Sequence, residues 1–152
     1  MPKTSAGILL FRRRPRGVEV LLVHPGGPFW AKKDDGAWSI PKGEMESGED
    51  AVVAAKREFE EETGAAIGGA LVDLGTFRQP SGKIVAAFAS EGDFDPASLQ
   101  SNLFAMEWPP RSGKTVEFPE ADRAGWFGAA EAMRKVTRGQ RAIVEALVER
   151  VG

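Results

Sequence analysis

Hydrophobic positions set most of the predicted elements. The apolar run Ile8–Phe11 lies within Ser5–Arg12, and Val18–His24 (VEVLLVH) is a second such run. With Arg13–Gly17 as the turn between them, they predict a β-hairpin. Pro25–Gly36 follows as a long loop carrying glycines, prolines, Phe29 and Trp30. Long structured loops in compact domains are often functional. Ala37–Ile40 predicts a short strand ending before Pro41. Ser47 is placed as a helix N-cap, with Gly48, Glu49 and Asp50 in an acidic first turn that suits the helix dipole. The helix runs to Thr63, and Gly64 is a natural C′ residue. Ala65–Arg78 and Ile84–Ala89 read as strands, and Asp93–Gly125 as loop containing Pro96, Pro109, Pro110 and Pro119. Ala124–Phe127 predicts a last strand and Ala129–Val136 a short helix. Gly139–Val151 predicts an amphipathic helix with Ile143, Val144, Leu147, Val148 and Val151 on one stripe. This order predicts the α/β class: a mixed β-sheet flanked by helices, in one domain over residues 1–152.

Composition narrows the chemistry. The chain is 42% hydrophobic and 28% charged, which is a globular composition. It has no cysteine, so thiol nucleophiles, iron–sulfur clusters and cysteine-rich zinc sites are excluded. It has no tyrosine, and His24 is its one histidine. A net charge of −2 argues against a stable nucleic-acid partner. The apolar run Ile8–Phe11 is too short for an export signal or a membrane span. The expected compartment is therefore the cytoplasm, as a monomer or homodimer without a membrane partner.

The distinctive segment is Gly43–Ala65, GEMESGEDAVVAAKREFEEETGA. On a helix, Glu58, Glu61 and Glu62 share one face with Ala51, Ala54 and Ala55. Glu49, Lys56 and Glu60 mark a different, water-facing arc. The arrangement is locally costly. Glu58 and Glu62 form a like-charge i,i+4 pair, unfavourable by roughly 0.2–0.5 kcal/mol. All three acids sit at the negative end of the helix dipole, at roughly 0.3–1 kcal/mol each. Only Glu61 has a helpful i−4 partner, Arg57. A hard divalent cation such as Mg²⁺, held by the three carboxylates, would offset that repulsion. The alternative is a solvated acidic face with no metal.

The same residues fit the pattern Gly-x5-Glu-x7-Arg-Glu-U-x-Glu-Glu-x-Gly-U, where U is a large apolar residue. Gly43, Glu49, Arg57, Glu58, Phe59, Glu61, Glu62 and Gly64 fall on it, and Ala65 is smaller than the usual last residue. The chain thus resembles the Nudix hydrolase family. The resemblance implies a Nudix-type α/β/α sandwich and metal-dependent hydrolysis of a phosphoanhydride in a nucleoside diphosphate linked to another moiety. It implies Mg²⁺ or Mn²⁺ on Glu58, Glu61 and Glu62, with the Lys42 carbonyl and a later-loop carboxylate as further ligands. Divalent cations there would invert the acidic field, bridge phosphate oxygens and activate water. Arg57 becomes an orienter paired with Glu49, and Gly43 and Gly64 serve backbone geometry. Glu120 is the candidate later-loop base or ligand, with Glu117 as alternative; Glu58 or Glu61 is an equal candidate for the base. A non-catalytic Nudix-fold nucleotide-binding module is the competing expectation, although such modules usually lose box carboxylates and none is lost here.

Outside the box, Arg78, Lys83, Arg111 and Lys114 are candidate phosphate contacts. Phe29 and Trp30 are candidate stacking partners for a base. Trp38 is expected to pack beneath the box, and His24 to be a structural strand-end residue. Pro80 suits a hairpin turn. Arg111–Thr115 (RSGKT) resembles the end of a P-loop, but Trp108 stands where that motif needs glycine. The expected substrate is a phosphorylated, nucleotide-type small molecule. Dinucleoside polyphosphates, ADP-ribose-like compounds and nucleoside triphosphates all remain open.

Overall fold

A computed structural model describes residues 3–152. Met1 and Pro2, part of the segment weighed as an export signal, lie outside the described residues. The first two strands are β1 (Thr4–Arg14) and β2 (Gly17–Pro25). They pair as the predicted hairpin, with Phe11 opposite Val20 and Arg14 opposite Gly17. β3 (Lys42–Glu44) pairs antiparallel with the first residues of β1, Gly7 opposite Lys42 and Ser5 opposite Glu44. β4 (Val72–Arg78) and β5 (Ile84–Glu91) form a second hairpin, and β5 runs parallel to β1. β6 (Leu103–Glu107) and β7 (Thr115–Pro119) form a separate two-stranded sheet. β8 (Ala121–Gly128) closes the edge against β2. The main sheet therefore has the order β4-β5-β1-β2-β8, with β3 beside β1. It is a mixed sheet, as expected.

The helices are α1 (Ala51–Thr63), α2 (Ala129–Lys135) and α3 (Arg141–Val151). Alternation along β1 divides the core between the two sheet faces. Ala6, Ile8 and Leu10 pack with Ala54, Ala55 and Phe59 of α1. Leu9 and Phe11 pack on the other face with Ile143, Val144 and Leu147 of α3. The result is the expected α/β/α sandwich. Among the described residues no helix is long and apolar enough to cross a membrane.

Several local expectations change. Ala37–Ile40 is not a strand; Trp38 and Ser39 make only isolated bridges to Val136 and Val23. The N-cap of α1 is Asp50, not Ser47, and no acid lies in its first turn. Residues 65–71 precede β4 as loop, where Gly68 and Gly69 interrupt the apolar pattern. The stretch read as loop before Gly125 contains the β6–β7 hairpin and the start of β8. Those short strands are half-exposed and lack the long apolar runs that mark a buried strand. Val148 is exposed on the outer side of α3 rather than in its buried stripe.

Candidate active site

Register fixes the first part of the site. In the β1–β3 ladder, the N–H of Ile8 donates to the Pro41 carbonyl and that of Met45 to Thr4. Lys42 therefore sits at a non-hydrogen-bonded position, with its own N–H and C=O directed away from β1. Its N–H donates to the Glu62 carboxylate at the end of α1. Its carbonyl points the same way, toward the acidic end of that helix. Gly43, the next residue, faces α1. A Cβ at Gly43 would lie 2.0 Å from Glu58 Oε2. The glycine is thus required for space, because the Glu58 carboxylate lies against the strand. Its φ is not in the left-handed region, which corrects the expectation that it serves a special backbone geometry. Gly64 does serve one: its φ is +83°, and its N–H caps α1 on the Glu60 carbonyl at 2.7 Å.

Arg57 organises the remaining acids. Its Nε and Nη2 each donate to Glu49 at 2.9 Å, a bidentate pair. Its Nη1 donates to Glu58 at 2.7 Å and to Glu61 at 3.3 Å. Its Nη2 also reaches the Glu44 carbonyl at 3.3 Å. Glu49 additionally accepts the Glu46 N–H at 2.9 Å. The Glu49 side chain is only 10% exposed, against 40% for Glu61. Glu49 therefore belongs to this cluster and not to the water-facing arc on which helical periodicity placed it. The reason is that Glu49 precedes the helix, so the 100° rule does not apply to it.

The carboxylates differ in their titration. The Arg57 hydrogen bonds, followed by the Glu46 N–H, bring Glu49 down to about 2. Arg57 itself is raised, chiefly by its hydrogen bond to Glu49. Burial raises Glu58, against the pull of Arg57 and with help from the Glu61 charge. Burial raises Glu62 to about 8; the Lys42 N–H and ammonium oppose this, and the charges of Glu58 and Glu120 add to it. Glu62 is thus a desolvated carboxylate whose neighbours include two more acids.

Glu120 reaches this neighbourhood through the backbone. The N–H of Asn102 donates to the Glu61 carbonyl at 2.8 Å, and the N–H of Glu120 donates to the Asn102 carbonyl at 2.8 Å. The Gly26 N–H donates to the Glu120 carbonyl at 3.0 Å. Glu117 lies within β7, opposite Ala105, with its side chain exposed. Sequence reading passed over Asn102, because its role is carried by main-chain groups that no side-chain motif reports.

As the side chains stand, no three acidic or histidine residues among those described form a ready metal cage. The physical reason is visible in the contacts: Arg57 occupies the space between Glu58 and Glu61, and Glu62 is turned onto the Lys42 N–H. The donor set is nevertheless all hard oxygen, which suits Mg²⁺ or Mn²⁺. The cluster carries more carboxylates than Arg57 alone can neutralise.

The candidate substrate residues separate. Trp30, Lys42 and Lys83 line one cavity of about 310 Å³ beside β3. Arg78 is exposed on β4 and is not among the residues lining that cavity. Arg111 and Lys114 occupy the β6–β7 turn, where Glu107 accepts the N–H groups of Arg111 and Gly113 at 2.8 and 3.2 Å. That turn leads into a strand and not a helix, so it is no P-loop. Phe29 is exposed and packs edge-on to Trp108 at 5.5 Å. Trp38 is buried, but with Phe127 and Val136 on the α2–α3 face, not beneath the box helix. His24 is fully buried between Asp122 (2.8 Å) and the Lys33 carbonyl (2.6 Å), pinning the long loop to β8. Pro80 lies in the β4–β5 turn, where Gln79 and Lys83 pair at 2.7 Å.

Comparison with known proteins places this geometry in a family. The chain is 41% identical over 87 residues to an 8-oxo-(d)GTP phosphatase of Mycolicibacterium smegmatis, covering 54% of this chain and 25% of that protein. It is 32% identical over 133 residues to an octanoyltransferase of Myxococcus xanthus, covering 87% of this chain and 29% of that protein. The chain thus spans under a third of the length of these curated relatives. Two solved structures share the fold. The NUDIX domain of Shewanella oneidensis NrtR complexed with ADP ribose has a TM-score of 0.69 at 16% identity, covering 99% of this chain and 88% of that one. A C. elegans Ap4A hydrolase binary complex has a TM-score of 0.65 at 19% identity, covering 96% of each chain. The family model NUDIX domain matches residues 1–147, and on that match, together with the box residues gathered around Arg57, the chain belongs to the Nudix family.

Proposed function

We propose that this protein is a Nudix pyrophosphohydrolase, a single domain over residues 1–152. It cleaves a phosphoanhydride in a nucleoside diphosphate linked to another moiety, in the cytoplasm, as a monomer or homodimer. The observation that carries this reading is the convergence at one end of α1. Glu58 lies against Gly43, Glu62 is desolvated on the Lys42 N–H, and the Glu120 charge is felt at Glu62. Glu58, Glu61, Glu62, the Lys42 carbonyl and Glu120 would hold Mg²⁺ or Mn²⁺. When bound, the cation supplies Lewis-acid polarisation of phosphate oxygens and a lowered pKa for coordinated water. Arg57 positions Glu58 and Glu61 through Nη1 and fixes the entry loop through Glu49. Glu120, Glu58 and Glu61 are the candidate bases that take the proton of the attacking water. The candidate substrates follow proteins similar to this chain, which bind ADP ribose or are named for Ap4A or 8-oxo-(d)GTP, together with the ordinary nucleoside triphosphates that the family resemblance implies.

A hydrolysis screen tests the reading. ADP-ribose, dinucleoside polyphosphates, nucleotide sugars, nucleoside triphosphates and diphosphoinositol phosphates are each incubated with Mg²⁺, Mn²⁺ or EDTA. Cation-dependent turnover of at least one, lost in Glu61→Gln and Glu62→Gln, is the expected result. Wild-type rates in both variants would overturn the site. Binding without turnover across the panel would make the chain a nucleotide-binding module instead.

A further inference from the structure

β3 is one strand thick, and it has a second face. Side chains alternate along a strand, so Gly43 faces α1 while Lys42 projects to the opposite side of the sheet. There it lines the cavity of about 310 Å³ together with Ser5, Trp30, Gln79, Lys83 and Gln140. That volume is at the lower end of the roughly 300–1,000 Å³ typical of ligand pockets, enough for one end of a nucleotide-type substrate.

The lining is chemically one-sided. None of its residues is acidic. The Gln140 amide is committed to the protein on both atoms, and the Gln79 amide on its nitrogen. Gln140 accepts the Ile40 N–H at 2.9 Å and donates to Ser39 Oγ at 2.9 Å, and Gln79 donates to the Gly139 carbonyl at 3.1 Å. These contacts fix the wall and take up three of the four amide groups that could read the edge of a base. What remains for a ligand is led by donors: the Lys42 and Lys83 ammonium groups, neither in a salt bridge among the described residues, and the Ser5 and Thr137 hydroxyls, with the Gln79 Oε1 as the one amide acceptor left. Lys33, which does not itself line the cavity, lies 5.0 Å over the ring of the lining residue Trp30. An anion rich in acceptors satisfies this set, and phosphate oxygens are the best match. The cavity also touches Pro25, whose neighbour Gly26 bonds to Glu120.

We infer that this cavity is a polyphosphate subsite. Lys42 and Lys83 hold the phosphate-bearing arm of the substrate beyond the bond that is cleaved. The protein thereby selects substrates with long phosphate chains over those whose second moiety is a neutral sugar. Lys42 is the hinge of this arrangement, because its main chain faces Glu62 while its side chain serves the cavity. The selection among substrates rests on the proposed hydrolysis; the anion site does not.

Inorganic tripolyphosphate is the probe, titrated calorimetrically into the whole protein in EDTA, so that the acidic site does not contribute through a cation. Lys42→Met and Lys83→Met are each expected to weaken binding at least about fivefold. Lys83→Arg should restore it to within about twofold of wild type. Arg150→Met, which removes the same charge from the outer end of α3, should leave it unchanged. Circular dichroism melts of each variant exclude misfolding as the cause. Equal affinity in wild type, Lys42→Met and Lys83→Met would overturn the inference, and so would an equal loss in Arg150→Met. In the hydrolysis screen, Lys83→Met should lower kcat/KM more for a dinucleoside polyphosphate than for ADP-ribose; equal losses count against selection. If wild type turns over nothing yet binds tripolyphosphate through both lysines, the hydrolase reading fails and the anion site stands. Turnover with lysine-independent binding gives the reverse.

Discussion

The contact between Gly43 and Glu58 gives a sharp separation of stability from activity. In Gly43→Ala, the new methyl would sit 2.0 Å from Glu58 Oε2 and 2.1 Å from its Cδ, where ordinary contact begins near 3.4 Å. The carboxylate must therefore retreat by about 1.4 Å. It is the far end of a flexible side chain, so it can retreat without moving the backbone. The Arg57 Nη1–Glu58 bond of 2.7 Å stretches or breaks, a loss of roughly 1.5–3 kcal/mol for a hydrogen bond to a charged group. Against this, Gly→Ala at a φ that alanine accepts stabilises by roughly 0.4–1 kcal/mol through the unfolded chain. The net loss of folding stability should be about 0.5–2.6 kcal/mol. The cost to the reaction is larger. A misplacement near 1 Å costs about 100-fold in rate, which is about 2.7 kcal/mol of barrier. Urea denaturation and kcat/KM on the best substrate of the screen measure the two quantities on one preparation. Glu58→Asp in the same background removes a methylene and relieves the overlap, so Gly43→Ala/Glu58→Asp should regain stability without regaining rate. A Gly43→Ala enzyme within threefold of wild type would refute the claim that Glu58 must lie against β3.

Three further outcomes follow from the same contacts. Arg57→Lys keeps the charge but cannot make the bidentate bond to Glu49; it should lower stability by on the order of 1–3 kcal/mol and activity at least about tenfold, read by melting and turnover. Glu62 is raised to about 8 in the fold, so its stabilising contribution is complete below its unfolded value near 4.5 and is lost as pH rises toward 8. In EDTA, denaturation midpoints should fall across that window for wild type and stay flatter for Glu62→Gln; parallel curves would discard the assignment. Gly26→Ala would place a methyl 1.9 Å from the Pro119 carbonyl oxygen. Both are backbone, so neither gives way easily, and a loss of roughly 1–3 kcal/mol is expected in denaturation.

What could be read from sequence follows from which interactions have a period. The strands β1, β2 and β5 are long apolar runs, and α1 and α3 carry a stripe, so burial wrote them into the residue pattern. The box residues were legible as a spacing. Their order around Arg57 was only partly so: the Arg57–Glu61 pair follows from i,i+4 geometry, whereas Glu49 lies off the helix and its burial depends on how the loop of residues 45–50 folds back. β3 and the β6–β7 hairpin were not legible. β3 is held by a three-residue register with β1, and the hairpin by main-chain bonds through Asn102 and Glu120. Main-chain bonds ask nothing of side-chain identity, so they leave no signature.

The charge distribution ties these parts together. Arg57 is shared among Glu49, Glu58 and Glu61, and its strongest commitment is to Glu49, the acid that shapes the entry loop. Little of that charge remains for Glu62, whose partner is a neutral main-chain N–H on Lys42. The deficit of positive charge is thus concentrated at the point where β3 meets the end of α1. The Lys42 side chain lines the cavity across the sheet, so its ammonium is drawn toward Glu62 from one side and is offered to an anion on the other. Where Glu62 is ionised, above about pH 8, a phosphate arm bound in the cavity would compete with it for that ammonium and increase the deficit at the acids. A cation at the acids would release Lys42 to the phosphate. The two events therefore favour one another, which is positive coupling and must be reciprocal. At pH 9, tripolyphosphate should bind more tightly to the protein loaded with Mg²⁺ than chelation of free Mg²⁺ in solution accounts for, and Lys42→Met should abolish the excess. Independent binding, after correction for that chelation, would show that the two faces of β3 act separately.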